Sequence, residues 1–207
     1  NFSVESIKKN LKSNNNINIK NILKINYLIF PTPRLSIKNS QFTIGKNVAE
    51  INNSGIEIIL NVSQILNFKE INYKRLLIRD GTSKINLNKI NQLLTNFTKN
   101  KKKMTLKKNK IIFLQKDKVL FKITDAQIKI NEQKNNHELK ISGNFLNNKI
   151  FVKHINSPKN KNNLNIKIPG LDIETRVFFE KNNFNNINGF FNLKIFNNFL
   201  KFNFIKE

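Results

Sequence analysis

The chain has 207 residues, enough to bury a core as one large domain or two small ones. It contains no cysteine, which excludes a disulfide framework and a thiolate metal site. It has no run of about 18 apolar residues and no charged-then-apolar leader, and because it begins with Asn rather than Met we expect any membrane anchor to lie upstream.

The charge is strongly basic, because 37 Lys and Arg oppose 13 Asp and Glu and give a net charge of +24. Such a balance is typical of proteins that contact nucleic acid or an anionic membrane. The same composition follows from a genome rich in A and T, whose codons favour Lys, Asn, Ile and Phe. Two interpretations therefore stand: a solvated basic surface, or a surface that attracts a polyanion.

The N-terminal segment, residues 1–16, is polar with apolar residues at helical spacing. Val4, Ile7 and Leu11 predict a short amphipathic helix or a frayed end. From residue 17 the apolar period changes to two, and the alternation predicts strands that run up to a Pro-Thr-Pro-Arg stretch.

The stretch NYLIFPTPRLSIKN, residues 26–39, interrupts this alternation. Its two prolines cannot donate backbone hydrogen bonds, so we expect an extended corner between two strands. Alternation restarts at Leu35 and has changed phase by Phe42, which predicts a bulge or a tight turn near residues 38–40. Arg34 follows the corner and is a candidate for contact with anionic lipid headgroups.

The most regular alternation lies in GIEIILNVSQILNFKEINYKRLLIRDG, residues 55–81. Its first part predicts a half-buried strand whose inward side chains are Ile56, Ile58, Leu60 and Val62. A short helical turn is predicted at Gln64–Phe68. Asp80–Gly81 predicts a hairpin turn before the strand Lys84–Leu87, and the apolar stripe that follows predicts a helix from Lys89 to about Phe97.

The segment Lys99–Lys110 is dense in lysine and predicts a mobile connecting loop. Beyond it, apolar-polar alternation and short Asn-rich connectors are typical of an antiparallel meander. The predicted strands are Ile111–Leu114, Val119–Ile123, Ala126–Ile130, Glu138–Gly143, Lys149–His154, Leu164–Ile168, Ile173–Phe179, Gly189–Phe196 and Phe199–Ile205. The last strand is apolar and uncapped, which predicts an exposed sheet edge.

Such a meander has one apolar and one basic-polar face, with too few helices to cover the apolar face. The sheet must curl on itself, pair with another sheet or offer its apolar face to a hydrophobic ligand. The phenylalanines near the end of the chain suit a nucleobase-stacking platform, but at strand period they are more typical of a core or a groove wall. They are Phe190, Phe191, Phe196, Phe199, Phe202 and Phe204.

Residues that carry chemistry are few. His137 and His154 lie on different predicted hairpins without the three or four converging ligands of a zinc site. Asp172 and Glu174 fall two apart on one strand face, but beside Arg176 they are better explained as outward polar residues than as an acid–base pair. Phosphate loops and nucleophile elbows are absent. We therefore expect a non-enzymatic chain with no catalytic residues, cofactor or metal.

Several phrases resemble the N-terminal module of the AsmA family of bacterial envelope proteins. They are "FPTPRLSIKN", "AEINNSGIEIILNVSQILNFKEINYKRLLIRDG" and "SKINLNKINQLL" in residues 17–97, then "ITDAQIKI" and "HELKISGNF" in residues 111–155. In that family a "P-x-P-R-L" corner leads into a strand, followed by a strand and turn of the type "I-x-L-x-x-S-Q-L-L-x-F-K" and then by a hairpin and a helix. The resemblance covers about three quarters of the chain.

The resemblance implies a protein tethered to the inner membrane by one N-terminal helix, with a β-rich body in the periplasm. Family members resemble bridge-like lipid-transfer proteins, in which β-sheets enclose a taco-shaped groove for phospholipids moving towards the outer membrane. This sequence lacks the anchor helix and any C-terminal repeats of that pattern.

The predicted fold is mainly β with one or two short helices, a curved antiparallel meander that forms an open, taco-like hydrophobic groove. Residues 1–16 are assigned to the helical or frayed end, 17–98 to the AsmA-like module, 99–110 to the loop and 111–207 to a β-meander that continues the groove.

The leading hypothesis is a module that shields or conducts phospholipid acyl chains between the two membranes and supports outer-membrane assembly, with Ile56, Ile58, Leu60 and Val62 among the lipid contacts. The alternatives are a β protein that binds nucleic acid or another polyanion, and a scaffold for an envelope protein that docks on the Phe-rich C-terminal edge. No specific nucleic acid is expected as a partner under the leading hypothesis.

Overall fold

The computed structural model describes residues 3–22, 24–45, 48–62, 71, 73–89, 103–133, 136–157, 161–181 and 186–206. These residues form helix α1 (Val4–Asn15) and fourteen strands, with 3-10 turns at Leu87–Lys89 and Pro169–Leu171. The strands are β1 Ile17–Asn21, β2 Ile25–Leu28, β3 Arg34–Ile44, β4 Ala49–Leu60, β5 Tyr73–Arg79, β6 Thr82–Asn86, β7 Lys103–Gln115, β8 Lys118–Gln133, β9 Asn136–Phe145, β10 Asn148–Ser157, β11 Lys161–Ile168, β12 Ile173–Lys181, β13 Ile187–Ile195 and β14 Asn198–Lys206.

The prediction of a mainly β, antiparallel meander with one or two short helices is confirmed. A hydrophobic groove is not shown. The hydrogen-bonded strand order is β1-β3-β4-β5-β7-β8-β9-β10-β11-β12-β13-β14, with β2 beside β3 and β6 beside β4 and β7. Strand β7 runs parallel to β5 and β6.

The chain divides into two compact units, Asn1–Ala126 and Gln127–Glu207. Their boundary falls inside β8. The helical turn predicted at Gln64–Phe68 lies outside the described residues, as does all but the first residue of the helix predicted at Lys89–Phe97.

Of the two alternatives for the N-terminal segment, the structure has the helix. The Ser3 hydroxyl accepts a hydrogen bond from the Ser6 backbone N–H at 3.1 Å and caps the first turn. Asn16 ends the helix in the left-handed conformation. Ile7 and Leu11, one turn apart, are buried and attach α1 to the first unit.

The corner at the two prolines is also present, because β2 ends at Leu28 and β3 begins at Arg34. The phase change predicted after Leu35 is a bulge at Ser40, where the β3–β4 register shifts. Ser40 is fully buried opposite Ser54, and its hydroxyl donates to the Ser54 carbonyl at 2.9 Å. The bulge turns both Leu35 and Phe42 into the core although their spacing is odd.

The prediction of a hairpin turn at Asp80–Gly81 is wrong. Strands β5 and β6 both pair with β4 in one unbroken register, from Gly55 opposite Arg79 to Asn52 opposite Thr82. The chain therefore continues along β4 through a local irregularity, in which Asp80 adopts a positive φ of 55°. A hairpin turn and an irregularity within a continuous strand both use a left-handed residue, which is why the sequence signal could not separate them.

The predicted lysine-rich loop is wrong for its larger part, because β7 begins at Lys103. Met104 and Leu106 point inward and are buried, while lysines occupy outward positions. At Lys108 the backbone takes a positive φ of 54° and the phase shifts, so that Asn109 points inward. The lysine density and the phase shift together hid the strand alternation.

The Asn109 side chain on β7 links the irregular position at Lys108 with the one at Asp80, after β5. Its side-chain oxygen accepts a hydrogen bond from the Gly81 backbone N–H at 3.1 Å, and its amide donates to the carbonyls of Lys107 at 3.0 Å and Ile78 at 3.4 Å. A side chain at Gly81 would place its Cβ 2.7 Å from the Cβ of Ser54, so only glycine fits. This Asn109 cluster ties β7 to β5 and to Gly81 inside the first unit.

The second unit contains β9 to β14, each antiparallel to its neighbour along the chain. Every strand predicted here is present. The two strands predicted at Val119–Ile123 and Ala126–Ile130 are one strand, β8, in which Asp125 has a positive φ of 48°. Strand β14 stands last in the strand order, as predicted for a sheet edge.

Candidate functional site

The second unit separates its side chains into two faces. Residues directly opposite each other in an antiparallel pair share a face, so the registers define rows that cross all six strands. The Leu193 row comprises Ile141, Val152, Ile166, Thr175, Leu193 and Leu200. The Phe191 row comprises Leu139, His154, Leu164, Val177, Phe191 and Phe202. We call the face that carries both rows the apolar face.

The apolar face is partly open. Most of its side chains are half-buried, and on the last strand Phe202 is 54% exposed. Within the second unit the described residues form only strands and the 3-10 turn Pro169–Leu171, so this part of the unit supplies no second layer. None of the described side chains of β9 to β14 on this face is charged. The face is therefore an uncharged, mainly hydrocarbon surface that water reaches.

Aromatic rings reinforce one end of this face. The rings of Phe191 and Phe202 lie 6.1 Å apart between centroids. Gly189 lies between Phe179 and Phe204, its partners on either side. A Cβ at Gly189 would come within 2.6 Å of the Phe204 ring, so the glycine leaves room for that ring to lie across the strand.

His154 is the polar member of the Phe191 row. Its Nε2 lies 3.2 Å from the Oδ1 of Asn162, and its strand partners are Leu139 and Leu164. Burial lowers the pKa of His154 below its ordinary value of 6.5, and the hydrogen bond with Asn162 opposes part of that change. The apolar face therefore favours a neutral imidazole.

We expect the stability of the second unit to fall on mild acidification. Because the pKa of His154 is lowered in the folded state, the unfolded chain binds the proton at a higher pH than the folded chain does. The contribution of His154 to the free energy of unfolding is therefore fully present above pH 6.5 and declines as the pH falls through that value. Urea unfolding at pH 8.0, 7.0 and 5.5 measures this decline. His154→Gln should flatten the part between pH 7.0 and 5.5, and a variant with the full wild-type decline would contradict the assignment.

The opposite face of the second unit, the polar face, carries the ion pairs. Glu138 contacts Lys140 at 2.9 Å and Lys153 at 3.4 Å. Glu174 contacts Arg176 at 2.7 Å and Lys167 at 3.2 Å. These cations hold the pKa of both carboxyl groups below the usual range. Both glutamates therefore serve as ion-pair partners.

Asp172 and Glu174 do not form an acid–base pair. Asp172 precedes β12 in a left-handed turn and contacts Lys194 at 3.0 Å, while Glu174 has its own partners in Arg176 and Lys167. The interpretation as outward polar residues agrees with this geometry. Among the described residues, no group of three or more His, Cys, Asp or Glu side chains is placed to hold a metal ion.

A shallow depression of about 390 Å³ lies on the polar face. Lysines from four strands line it, together with Phe151; they are Lys129, Lys140, Lys153 and Lys167. Three of the four already contact Glu138 or Glu174. The depression is basic, but the ion pairs neutralise much of its charge.

The residues predicted to contact lipid lie elsewhere, in the first unit. Ile56 and Ile58 are 0% exposed and Leu60 is 8% exposed, all in the core on β4. Val62 lies beyond the end of β4 and is 73% exposed, so it does not share their face. Arg34 is half-buried at the start of β3. The structure thus brings the three core residues together but leaves them closed to any ligand.

The phenylalanines considered for base stacking divide between the two faces. Phe191, Phe202 and Phe204 lie on the apolar face, while Phe190 and Phe199 lie on the polar face. Phe196 occupies the turn between β13 and β14 with a positive φ of 50°. The alternation of side chains along each strand could have predicted this division. The phase of that alternation, however, depends on where the turns lie.

Comparison with known proteins identifies no relative of this chain. No helix among the described residues has the length and apolar character needed to cross a membrane. No family model, no curated protein and no solved structure matches the chain.

Proposed function

We propose that the second unit binds lipid acyl chains on its apolar face, as the non-enzymatic part of an AsmA-like protein that shields or conducts phospholipid in the bacterial envelope. The observation that carries this proposal is the pair of uncharged rows that cross six strands without a covering layer in the unit. The site moves from the predicted residues on β4 to β9–β14, because only the latter present accessible apolar side chains.

The dimensions of the rows suit an acyl chain. Neighbouring strands lie about 4.8 Å apart, so a row across six strands is about 24 Å long. One leaflet of a bilayer contributes about 15 Å to a hydrocarbon core of about 30 Å. An acyl chain lying along a row would therefore contact several strands and could slide from one strand to the next without crossing a charge.

The energetics require no polar site. Each methylene that leaves water for an apolar surface contributes about 0.8 kcal/mol. A half-covered chain of about ten methylenes would thus gain several kcal/mol from a face that offers mainly side-chain hydrocarbon. A headgroup could remain in water at the rim of the face, since acyl-chain burial alone drives this binding.

The cellular context is part of the same proposal. The phrases shared with the AsmA family lie in residues 17–97 and 111–155, and they support a place at the periplasmic face of the inner membrane, with phospholipid as ligand and an upstream anchor. An envelope protein at the β14 edge is a compatible partner, since that strand is last in the order.

Photocrosslinking tests the proposal with a matched pair of neighbours. Phe191 and Phe190 are consecutive, both half-buried, and on opposite faces of β13. Benzoylphenylalanine at position 191 should crosslink to phospholipid in cells, whereas the same group at 190 should give only background. Mass spectrometry of lipid extracted from the purified protein identifies the ligand.

Two outcomes would contradict the proposal. One is a purified protein that carries no lipid and takes up none from vesicles. The other is equal crosslinking from positions 190 and 191, which would indicate contact that ignores the two faces. Circular dichroism of both variants verifies that the strands are intact.

A polyanion on the polar face is the second candidate, and the basic depression beside Phe151 favours it. Binding of a single-stranded oligonucleotide should then weaken steeply between about 50 and 200 mM salt. We rank this candidate lower because Lys140, Lys153 and Lys167 already contact glutamates. An affinity that is weak at low salt and insensitive to added salt would eliminate it.

A further inference from the structure

The hairpin between β2 and β3 carries an exposed apolar tip. Ile29 is 70% exposed and Phe30 is 86% exposed, and Leu28 and Pro31 beside them are also exposed. These consecutive apolar residues are exposed to water and are not part of the core of the first unit, which other side chains form. A contiguous apolar projection of this kind marks an interaction surface.

The neighbouring strand adds another apolar residue at the same end of the unit. The backbone N–H of Leu60, the last residue of β4, donates to the carbonyl of Pro33 at the base of the hairpin, at 2.9 Å. Val62 follows two residues later and is exposed. The end of the first unit where β2 and β4 finish thus has exposed hydrocarbon just beyond both strands.

Two arginines stand behind this tip. Leu28 pairs with Arg34, Arg34 with Ile59, and Ile59 with Arg75, so the four side chains form one row on one face. Among the described residues neither Arg34 nor Arg75 forms an ion pair, whereas Arg79, further along β5, is paired with Glu57 at 3.4 Å. The two arginines thus place positive charge in the row behind the tip.

Apolar residues in front and arginines behind fit the interface of an anionic bilayer. The apolar side chains can enter the boundary between headgroups and acyl chains, while guanidinium groups remain at the level of the phosphates. The arrangement projects from the strands, so it suits a deformable apolar solvent better than a partner that would need a matching cavity. The net charge of +24 adds attraction to the same surface.

We propose that the β2–β3 tip docks the first unit on an anionic lipid surface, with Ile29 and Phe30 inserted below the headgroups and Arg34 and Arg75 at the phosphates. This docking is independent of acyl-chain binding by the second unit. It gives the first unit a function of its own, contact with the membrane.

A single tryptophan reports on the tip, because the natural chain contains none. Phe30→Trp should show a blue-shifted emission with vesicles of 30% phosphatidylglycerol in phosphatidylcholine, and lipids brominated near the carbonyl end of the chain should quench it. Phe196→Trp, at an exposed turn of the second unit, is the matched control and should respond to neither. Vesicle binding by the Phe30→Trp variant that leaves its indole in water would overturn the proposal.

Vesicle sedimentation measures separately how the apolar side chains and the arginines contribute to membrane binding. Ile29→Ser with Phe30→Ser should lower the partition coefficient about tenfold or more. Arg34→Gln and Arg75→Gln should each lower it about fivefold on anionic vesicles and have no effect on neutral ones. Leu146→Ser, at another exposed turn, should change nothing.

The remaining outcomes also decide the matter. A tip variant that sediments like the natural chain would reject insertion. A blue shift of the Phe30→Trp variant that grows with protein concentration in the absence of vesicles would assign the tip to contact between copies of the chain instead. Crosslinking at position 191 distinguishes the two proposals. If the tip variants no longer sediment with vesicles while benzoylphenylalanine at position 191 still crosslinks to phospholipid, docking by the first unit has been lost and acyl-chain binding by the second unit has not.

Discussion

Phe202→Asp should remove most of the lipid that the protein carries, whereas Phe199→Asp should leave the lipid in place. Both residues are exposed phenylalanines on β14, at 54% and 74%, but Phe202 belongs to the Phe191 row and Phe199 pairs with Lys194 on the polar face. A carboxylate in hydrocarbon costs about 2.5 to 3.5 kcal/mol on the insertion scale, and a half-exposed site should retain about half of it. Affinity for phospholipid should then fall about tenfold.

The measurement is the molar ratio of phospholipid to purified protein, together with transfer of a fluorescent phospholipid from vesicles. The unfolding midpoint of both variants serves as the control, because each position is exposed enough to accept aspartate with little loss of stability. Equal lipid loss in both variants, or in neither, would contradict a ligand held on the apolar face.

Asn109→Ala should destabilise the first unit by about 2–4 kcal/mol, a large part of the roughly 5–15 kcal/mol that a domain possesses. Asn109 is 0% exposed, and its loss would leave the Gly81 N–H without the acceptor it has in the wild-type chain and would remove a donor from the carbonyls of Ile78 and Lys107. The Lys107 carbonyl would keep the Asp80 N–H at 3.2 Å. Asn109→Asp should be worse, since it would bury a charge that faces those two carbonyls.

Hydrogen–deuterium exchange measures this effect locally. Amides of β5 and β7 should exchange far faster in the Asn109 variants, while those of β10 to β13 should keep their protection. Asn18→Ala is the matched control, because Asn18 is exposed on β1 of the same unit and its replacement should change stability by less than about 0.5 kcal/mol. Unaltered exchange in β5 and β7 would show that the Asn109 cluster is dispensable.

Much of the second unit could be predicted from its sequence because each strand alternates cleanly and each connection is short. The strand predicted at Glu138–Gly143, for example, is the centre of β9. Charged residues fall on one face and most of the aliphatic residues on the other, which defines the period without help from distant residues. Antiparallel neighbours along the chain then follow from the loop lengths.

The first unit was harder to predict from its sequence because its strands contain a bulge and left-handed residues. The register shift at Ser40 and the left-handed residue Lys108 each change which later side chains point inward, and a local pattern cannot distinguish such a change from a loop. The parallel pairing of β7 with β5 and β6 joins residues far apart in sequence. Such pairing leaves no local trace.

The proposed site differs from the residues predicted on β4 for a related reason. The alternation of Ile56, Ile58 and Leu60 is the clearest in the chain, and clear alternation of large aliphatic residues is typical of a strand with one fully covered face. A ligand-binding face needs residues that are apolar and uncovered, and coverage depends on which layers the other elements supply. Only the strand registers of the second unit revealed rows that remain open.

The sequential pairing of β9 to β14 has a consequence for how such a protein can change over generations. Because every strand of this meander pairs with its neighbours along the chain, duplication of one hairpin would insert two strands without altering any existing register. Each duplication would lengthen both rows by about 10 Å. The reach of the apolar face is thus a quantity that simple genetic duplication can tune in fixed steps, with no redesign of a core.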